Sequence, residues 1–309
     1  GGWAVHTDVT YGRSGTTTVF ELESAISELC DSKYTLMACS GLMAIVVAIL
    51  AVCKAGDHVL IPDNSYKCTK RFAQEELERF GIEYSYYNPV SLDSVRNGVT
   101  EKTRVLFIES PGSGTFELQD VQELSSFAKS RGIITIADNT WATPIHYNPL
   151  KSGVDIAIMS LTKYFCGHAD VVEGSISCND DGIYQNIKRT HLNFGINTSP
   201  DDAYLILRSL RTLSLRLNAH FESAMKVAHF LESHPCVLQV LYPPLESSSS
   251  YKIWKRDYIG ASGVMSFALK PEYQPHMKNF IDQLKIFKIG LSWGCFESLI
   301  VPYILTDLI

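Results

Sequence analysis

The sequence predicts an α/β protein in which a mostly parallel, seven-stranded sheet is covered by helices on both faces and is followed by a smaller α+β domain. From about residue 34 onward, short β-branched or apolar runs alternate with longer helical patterns, which is typical of a parallel sheet between helices. After Pro200 the pattern changes to a long helical stretch at 203–233 and then to separated strands. We therefore expect an N-terminal arm at residues 1–20, a large domain at 21–205 and a small domain at 206–309.

The seven strands of the large sheet are predicted at residues 34–38, 58–61, 84–87, 105–108, 133–137, 156–160 and 175–178, and two more at 237–241 and 264–269. Helices fit between them, for example 121–130 and 67–80, the latter with Phe72, Leu77 and Phe80 as apolar positions. The apolar run 36–53 is interrupted by Ser40-Gly41. A helix that starts at Gly41 has about a dozen residues, a length that predicts a buried core helix and no membrane span.

Composition, net charge and the cysteine and histidine patterns exclude several classes of function. The 309 residues are 46% hydrophobic and 19% charged, which is usual for a soluble globular protein. The net charge of -6 comes without a basic run, so we expect no nucleic-acid partner. Eight scattered cysteines without C-x-x-C spacing indicate reduced thiols in the cytoplasm. Nine histidines without an H-E-x-x-H pattern predict no metal site.

Two predicted strand ends carry groups suited to binding, because ligands of open parallel sheets lie beyond the carboxyl ends of the strands. Ser40-Gly41-Leu42 opens a helix after strand 34–38, and free backbone N–H groups there would attract a phosphate. Small residues at such a turn also have an ordinary steric explanation. Asp138 follows strand 133–137 and either caps a neighbouring helix or keeps a pyridine nitrogen protonated.

A third strand end carries an amine. Lys163 follows strand 156–160, with the hydroxyl groups of Ser160 and Thr162 beside it. A lone lysine usually extends to solvent, whereas desolvation would lower its pKa and make it a nucleophile. Pyridoxal chemistry needs one amine, one carboxylate and a phosphate cradle. All three occur at strand ends, so the combination indicates a site for pyridoxal phosphate (PLP).

The segments Asp138-Asn139-Thr140-Trp141-Ala142, Ser160-Leu161-Thr162-Lys163-Tyr164 and Gly167-His168-Ala169-Asp170 resemble the signature of the fold-type I PLP enzymes of cysteine and methionine metabolism. The resemblance extends over residues 11–299. It implies that Lys163 holds the cofactor as a Schiff base and later moves protons, and that Asp138 pairs with the pyridinium. It also implies that Tyr66 stacks on the ring and assists proton transfer, and that the phosphate is bound by Gly41, Leu42, Ser160 and Thr162.

The same resemblance implies an oligomer. Tyr11-Gly12-Arg13 is similar to a Tyr-x-Arg pair with which family members bind the cofactor phosphate in the neighbouring subunit. We therefore expect Tyr11 and Arg13 to complete the site of a second copy, in a homotetramer built as a dimer of dimers.

The stretches Trp254-Lys255-Arg256-Asp257-Tyr258-Ile259-Gly260, Ser262-Gly263, Ser292-Trp293-Gly294 and Glu297-Ser298-Leu299 look most similar to those of bacterial cystathionine β-lyases. Relatives that act at Cγ usually have a Leu-Gly pair in place of Trp293-Gly294 and an Asn-Pro pair near Gly112-Ser113-Gly114. The resemblance implies that Tyr11, Ser292 and Trp293 bind cystathionine. Its β-elimination, in methionine biosynthesis, gives homocysteine, pyruvate and ammonia.

The chain also departs from the family pattern. By comparison with the family we expect a shortened N-terminal arm and an incomplete small domain, because the sequence reaches Ile309 without the later arginine that binds the substrate carboxylate. Leu291 stands where the β-lyases have a tyrosine. The alternatives are cystathionine γ-lyase, γ-synthase or amino-acid racemase activity on the same scaffold, or a truncated subunit that binds PLP without turnover.

Overall fold

The computed structural model describes residue 9 and residues 11–303, and all seven predicted strands of the large sheet are present in it. They are β1 (Tyr34–Ala38), β2 (His58–Pro62), β3 (Glu83–Tyr87), β4 (Thr103–Glu109), β5 (Ile134–Asp138), β6 (Ile156–Ser160) and β7 (Gly174–Cys178). Their order across the sheet is β1-β7-β6-β5-β4-β2-β3. The pairs from β6 to β3 are parallel, whereas β7 is antiparallel to both β1 and β6. The mostly parallel sheet is confirmed.

Helices connect the strands and continue beyond them. They are α1 (Thr17–Cys30), α2 (Gly41–Val52), α3 (Lys67–Phe72), α4 (Leu92–Gly98), α5 (Val121–Ser130), α6 (Thr143–His146), α7 (Asp181–Asn193), α8 (Pro200–Leu210), α9 (Leu213–Ser233), α10 (Tyr251–Asp257) and α11 (Met277–Asp282). A π-helical segment (Ala73–Leu77) follows α3, and short 3-10 segments lie at Gly12–Ser14, Glu78–Phe80, Pro149–Ser152 and Pro271–His276.

Successive side chains of a strand point to opposite faces of the sheet, and in the central strands both sets of side chains are buried. In β4, Val105 and Phe107 join the hydrophobic cluster that includes α2, whereas Leu106 and Ile108 join the cluster that includes α5. All four are at most 1% exposed. Helices cover both faces of the sheet, which explains why the strands read as continuous apolar runs in the sequence.

Helix α2 accounts for the long apolar run. The Ser40 hydroxyl oxygen accepts a hydrogen bond from the Met43 N–H at 3.0 Å and thereby caps the helix, which has 12 residues. A helix that is apolar on all sides is buried in the core of a protein. No helix in the described part of the chain is long and apolar enough to cross a bilayer.

Two helical predictions need correction. The stretch 203–233 is two helices, α8 and α9, with a turn between them where Thr212 donates its N–H to the Ser209 carbonyl at 3.0 Å. The Arg216 side chain also donates a hydrogen bond to the Ser209 carbonyl. This carbonyl therefore does not need the hydrogen bond that a continuing α-helix would provide. The stretch 67–80 widens into the π-helical segment after α3, and this rotates the residues that follow. Phe80, predicted as an apolar position, lies in the 3-10 segment that follows and is exposed.

Beyond α9 the strands form two small sheets. Strands β8 (Val237–Leu241) and β9 (Ser266–Leu269) pair antiparallel, and β10 (Lys288–Ile289) and β11 (Leu299–Ile300) pair in parallel. The predicted domain limits stay a prediction, and the limit at 205/206 falls within α8. Residues 1–8, 10 and 304–309, which belong to the predicted arm and small domain, lie outside the described residues.

Candidate active site

The carboxyl edge of the sheet gathers the candidate residues. Strand pairing sets Glu109 beside Asp138, and Asp138 beside Ile158. On the other side of β6, Gly174 pairs with both Ser160 and Ala38, because β7 runs the opposite way. The turn after β1, the end of β5 and the turn after β6 therefore meet at one edge.

Lys163 is half-buried in the turn after β6. Its Nζ donates a hydrogen bond to Ser292 Oγ at 2.9 Å and lies 5.4 Å from the centre of the Trp293 ring. Desolvation lowers the pKa of the Lys163 amine, and the charges of Cys295 and Asp138 partly oppose this. A larger share of the amine is therefore uncharged at neutral pH than for a lysine in water, and an uncharged amine is the form that attacks a carbonyl carbon.

Asp138 holds its carboxylate through its neighbour Thr140. The Thr140 N–H and hydroxyl donate to Asp138 Oδ1 at 2.9 and 2.5 Å. Burial raises the pKa of Asp138, while the hydrogen bonds from Thr140 and the charge of Lys163 lower it. The carboxylate is thus fixed in orientation and lies within the field of the amine.

The turn that opens α2 lies against the Lys163 turn. A Cβ atom on Gly41 would lie 2.5 Å from the Ser160 Cβ, so only glycine lets the two turns approach this closely. The first N–H groups of an α-helix have no partner within the helix and attract anions. Gly41 and Ser160 therefore lie against each other, and the backbone N–H groups at the start of α2 with the Ser160 hydroxyl suit a phosphate. The assignment of Gly41, Leu42 and Ser160 to a phosphate site stays a prediction.

Thr162 is more constrained than the sequence suggests. Its hydroxyl donates to the Glu173 carbonyl at 3.2 Å and accepts from the Glu173 N–H at 3.0 Å. To donate to a phosphate, the hydroxyl must leave the first of these bonds. Glu173 itself is 2% exposed and accepts from the Thr198 hydroxyl at 2.9 Å.

We expect Glu173 to make folding stability depend on pH. Burial raises the pKa of Glu173 to about 8, and the Thr198 hydrogen bond only partly opposes it. The folded state therefore binds this proton more tightly than the unfolded state, whose carboxyl group has a pKa near 4.5. This stability is present in full below pH 4.5 and is lost as the pH rises towards 8.

Urea unfolding of the wild type and of Glu173→Gln at pH 5, 6.5 and 8 measures this contribution. The wild type should lose more unfolding free energy over this range than the variant. The exposed Glu101→Gln change is the control and should follow the wild type. Identical pH dependences of wild type and Glu173→Gln would contradict the assignment.

Tyr66 lies just before α3, and 45% of it is exposed. Its backbone N–H donates to Glu109 Oε2 at 2.8 Å, which ties the residue to the end of β4. Desolvation, followed by contact with Cys68, raises the pKa of the Tyr66 hydroxyl to about 12. At neutral pH the hydroxyl therefore keeps its proton.

Ser292 and Trp293 reach the site from a loop more than 120 residues further along the chain. Trp293 packs at 5.4 Å against the ring of Tyr164, the residue next to Lys163. The backbone of Gly294 has a φ of 86°, and a Cβ atom there would lie 2.8 Å from the Tyr164 nitrogen. Glycine at this position lets the loop close on the lysine turn.

In the residues that the structure describes, no hydrogen bond or ring contact joins Tyr11 or Arg13 to Lys163, Asp138 or Tyr66. Tyr11 is 64% exposed, and Arg13 lies over its ring at 5.6 Å. Arg13 Nη1 donates to the Leu192 carbonyl in α7 at 3.3 Å. Their assignment to the site of a second copy stays a prediction.

Two residues that sequence reasoning missed support the site. Arg216 of α9 donates to the Tyr164 carbonyl at 2.6 Å and so holds the lysine turn. Glu109 binds Tyr66 and lies next to Asp138. The sequence does indicate Glu109 as a candidate, because it ends an apolar strand just as Asp138 does. Nothing near Arg216 in the sequence indicates its hydrogen bond to the Tyr164 carbonyl.

The donor set fits PLP. Lys163 provides a desolvated amine, and Asp138 provides a carboxylate of fixed orientation. The helix start at Gly41 carries no Cβ atom, which leaves room for a phosphate beside its N–H groups. Among residues 9 and 11–303, no group of three or more His, Cys, Asp or Glu side chains is placed to hold a metal ion.

Comparisons with known proteins agree with this chemistry. Residues 4–307 match the family model described as "Cys/Met metabolism PLP-dependent enzyme". The chain is 41% identical over 296 residues to a protein of Wolbachia pipientis wMel named L-alanine/L-glutamate racemase, covering 96% of this chain and 73% of that protein. It is 35% identical over 294 residues to the Escherichia coli protein named cystathionine beta-lyase MetC, covering 94% and 74%.

The fold has close counterparts among solved structures. A cystathionine gamma-lyase from Lactobacillus plantarum complexed with L-serine superposes with a TM-score of 0.91 at 28% identity. The match covers 96% of this chain and 77% of that one. The fold-type I architecture expected from the sequence is thereby confirmed.

Proposed function

Because this chain belongs to the family of Cys/Met metabolism PLP-dependent enzymes, we propose that it is a carbon–sulfur lyase that cleaves cystathionine by β-elimination. One water molecule is consumed, and the products are homocysteine, pyruvate and ammonia. The observation that carries the choice of reaction is Trp293, 5.4 Å from Lys163 Nζ, where relatives that act at Cγ usually have leucine. The β-lyase name of the Escherichia coli relative supports the same choice.

Seven residues would hold the cofactor in this proposal. Lys163 would bind its aldehyde carbon, Asp138 its ring nitrogen and Tyr66 its ring face. The N–H groups of Gly41 and Leu42, with the hydroxyl groups of Ser160 and Thr162, would bind its phosphate. When bound, PLP supplies an electron-accepting ring that stabilises the negative charge left on the substrate Cα.

Lys163 is the proton carrier of the reaction. Its uncharged Nζ takes the proton from Cα, and its hydrogen bond to Ser292 Oγ sets the direction of the nitrogen lone pair. The electron pair of the broken C–H bond forms the double bond between Cα and Cβ as the Cβ–S bond breaks. The leaving sulfur accepts the proton that Lys163 now holds, and Tyr66, which keeps its hydroxyl proton at neutral pH, would assist this transfer. The Trp293 ring lies beside the amine.

The proposed assembly is a cytoplasmic homotetramer built from dimers. Arg13 and the exposed Tyr11 are available at the surface of one subunit to complete the site of the next. All eight cysteines are free thiols, and the cysteines of cytosolic proteins are usually kept reduced.

A second candidate is amino-acid racemisation, which the name of the Wolbachia relative favours. Racemisation also needs Lys163 to remove the Cα proton, but it returns a proton to the opposite face of Cα and breaks no bond to Cβ. Leu291, which stands in the place of the β-lyase tyrosine and is 86% exposed, removes a hydroxyl group that a β-lyase would present.

Product analysis tests the proposal. Purified protein with added PLP is incubated with L-cystathionine, and pyruvate and homocysteine are expected in equal amounts. A four-carbon keto acid with cysteine would instead indicate γ-elimination. D-alanine formed from L-alanine, without pyruvate from cystathionine, would indicate the racemase. A bound cofactor with no product from either substrate would leave a PLP-binding subunit without turnover.

A further inference from the structure

A second carboxyl group lies beside Asp138 at the carboxyl edge of the sheet. Glu109 ends β4 as Asp138 ends β5, and the two residues are direct partners in the parallel register. Partners on neighbouring strands are about 4.8 Å apart and point to the same face. Glu109 is 8% exposed, so the residue is buried beside Asp138.

Glu109 is also bonded to the backbone of Tyr66. Its Oε2 accepts the Tyr66 N–H at 2.8 Å. Tyr66 stands at the start of α3 and makes no side-chain capping bond there. The preceding residues are held separately, since the Ser113 N–H donates to the Asn64 carbonyl at 2.8 Å. Glu109 therefore fixes the point where the chain turns into α3 and, with it, the origin of the Tyr66 side chain.

The two carboxyl groups differ in their surroundings. Burial raises the pKa of Glu109 well above its usual range, and the charge of Asp138 raises it further. Burial raises the pKa of Asp138 as well, but two hydrogen bonds from Thr140 and the charge of Lys163 oppose this rise and favour the ionised form. A charge on Glu109 also acts on the hydroxyl groups of Tyr66 and Tyr87, which stay neutral because burial raises the pKa of each. When two carboxyl groups share a site, one of them keeps its proton.

We propose that Glu109 is a positioning residue of the active site, which fixes Tyr66 over the cofactor position and, as a neutral acid, leaves the negative charge on Asp138. This inference rests on the proposed function, because it requires that the cofactor binds at Lys163. It assigns to Glu109 a role that acts through Tyr66 and Asp138, without contact between Glu109 and the substrate.

The affinity of the apoprotein for PLP, followed by quenching of tryptophan fluorescence, tests this role without turnover. Glu109→Gln keeps a neutral side chain with an oxygen that can accept the Tyr66 N–H, so its dissociation constant should stay within about threefold of the wild type. Glu109→Ala removes the acceptor and should weaken binding about tenfold, as expected for the loss of a buried hydrogen bond. In a Tyr66→Ala background, Glu109→Ala should add less than a twofold loss, because the ring that Glu109 positions is already gone.

The controls separate positioning from general damage. The exposed Glu101→Ala variant should bind PLP as the wild type does. If Glu109→Ala fails to fold, the comparison of Glu109→Gln with Glu109→Asp, whose shorter side chain withdraws from Tyr66, replaces it with the same expected difference. The pH at which the bound cofactor changes its absorbance should be the same in Glu109→Gln and wild type, since neither carries a charge at position 109.

Three results would overturn the inference while leaving the proposed function intact: unchanged PLP affinity in Glu109→Ala, an equal loss in Glu109→Gln and Glu109→Ala, or full additivity with Tyr66→Ala. If the wild type binds no PLP, the proposed function and this inference both fail.

Discussion

Replacing Lys163 with alanine is expected to remove covalent attachment of PLP and to lower the rate of product formation by at least about 100- to 10,000-fold, the usual contribution of one positioned base. The amine is the group that binds the aldehyde carbon and the group that takes the Cα proton, so its removal affects both steps. The protein should still fold, because the main effect on this amine is desolvation, a cost that alanine does not incur.

Three measurements check the Lys163→Ala prediction. Borohydride reduction of wild type with PLP should fix the cofactor to Lys163, as mass spectrometry of the modified peptide would show, and the variant should remain unmodified. Added ethylamine should restore part of the activity, because a free amine can replace the missing base. The matched control is Lys129→Ala on the exposed side of α5, which should behave as the wild type. Retention of turnover by Lys163→Ala would contradict the assignment of the base.

Replacing Asp138 with asparagine is the second large change, with an expected loss of about 100-fold or more in kcat, comparable to the removal of one preorganised electrostatic group. Asparagine has the same shape, and its oxygen can still accept both hydrogen bonds that Thr140 donates. What the variant lacks is the negative charge that would keep the ring nitrogen protonated, and an unprotonated ring accepts electrons poorly.

The Asp138→Asn measurement combines kinetics with cofactor affinity. We expect kcat to fall more than the affinity for PLP, because the phosphate and Lys163 contacts are unchanged. The folded apoprotein should be at least as stable as the wild type in thermal unfolding, since the variant buries no charge. Asp93→Asn, on an exposed turn of α4, serves as the control. A kcat within threefold of the wild type would show that the Asp138 charge is not used in the reaction.

The strands of the large sheet and the start of α2 were predictable from local pattern. Each depends on residues that are neighbours in the chain: apolar runs of strand length, and Ser40 followed by a helix without a breaker. The sequence did not predict the break in the helical stretch 203–233, because the turn at Thr212 depends on hydrogen bonds from Arg216 to Thr212 and Ser209 that only the folded structure shows.

The residues of the candidate site also divide into those that local sequence pattern identifies and those that only the fold brings together. Lys163 and Asp138 could be identified as candidates because each follows an apolar strand. A charged group at that position is costly to bury unless it has a partner, so its presence indicates a functional site. Glu109 ends a strand in the same way, but its importance comes from its pairing with Asp138 and from the Tyr66 N–H. The antiparallel direction of β7 places Glu173 against Thr162. This contact, too, depends on the order of the strands in the sheet.

By itself, then, the sequence determined the alternation of strands and helices, the buried helix α2 and the residues that can carry PLP chemistry, because these follow from periodicity and from the chemistry of single side chains. The tertiary structure alone decided that Ser292 and Trp293 close on Lys163, that Arg216 holds the lysine turn and that Glu109 shares an edge with Asp138. Those contacts join residues from 29 to more than 120 positions apart, and strand order and loop closure bring them together.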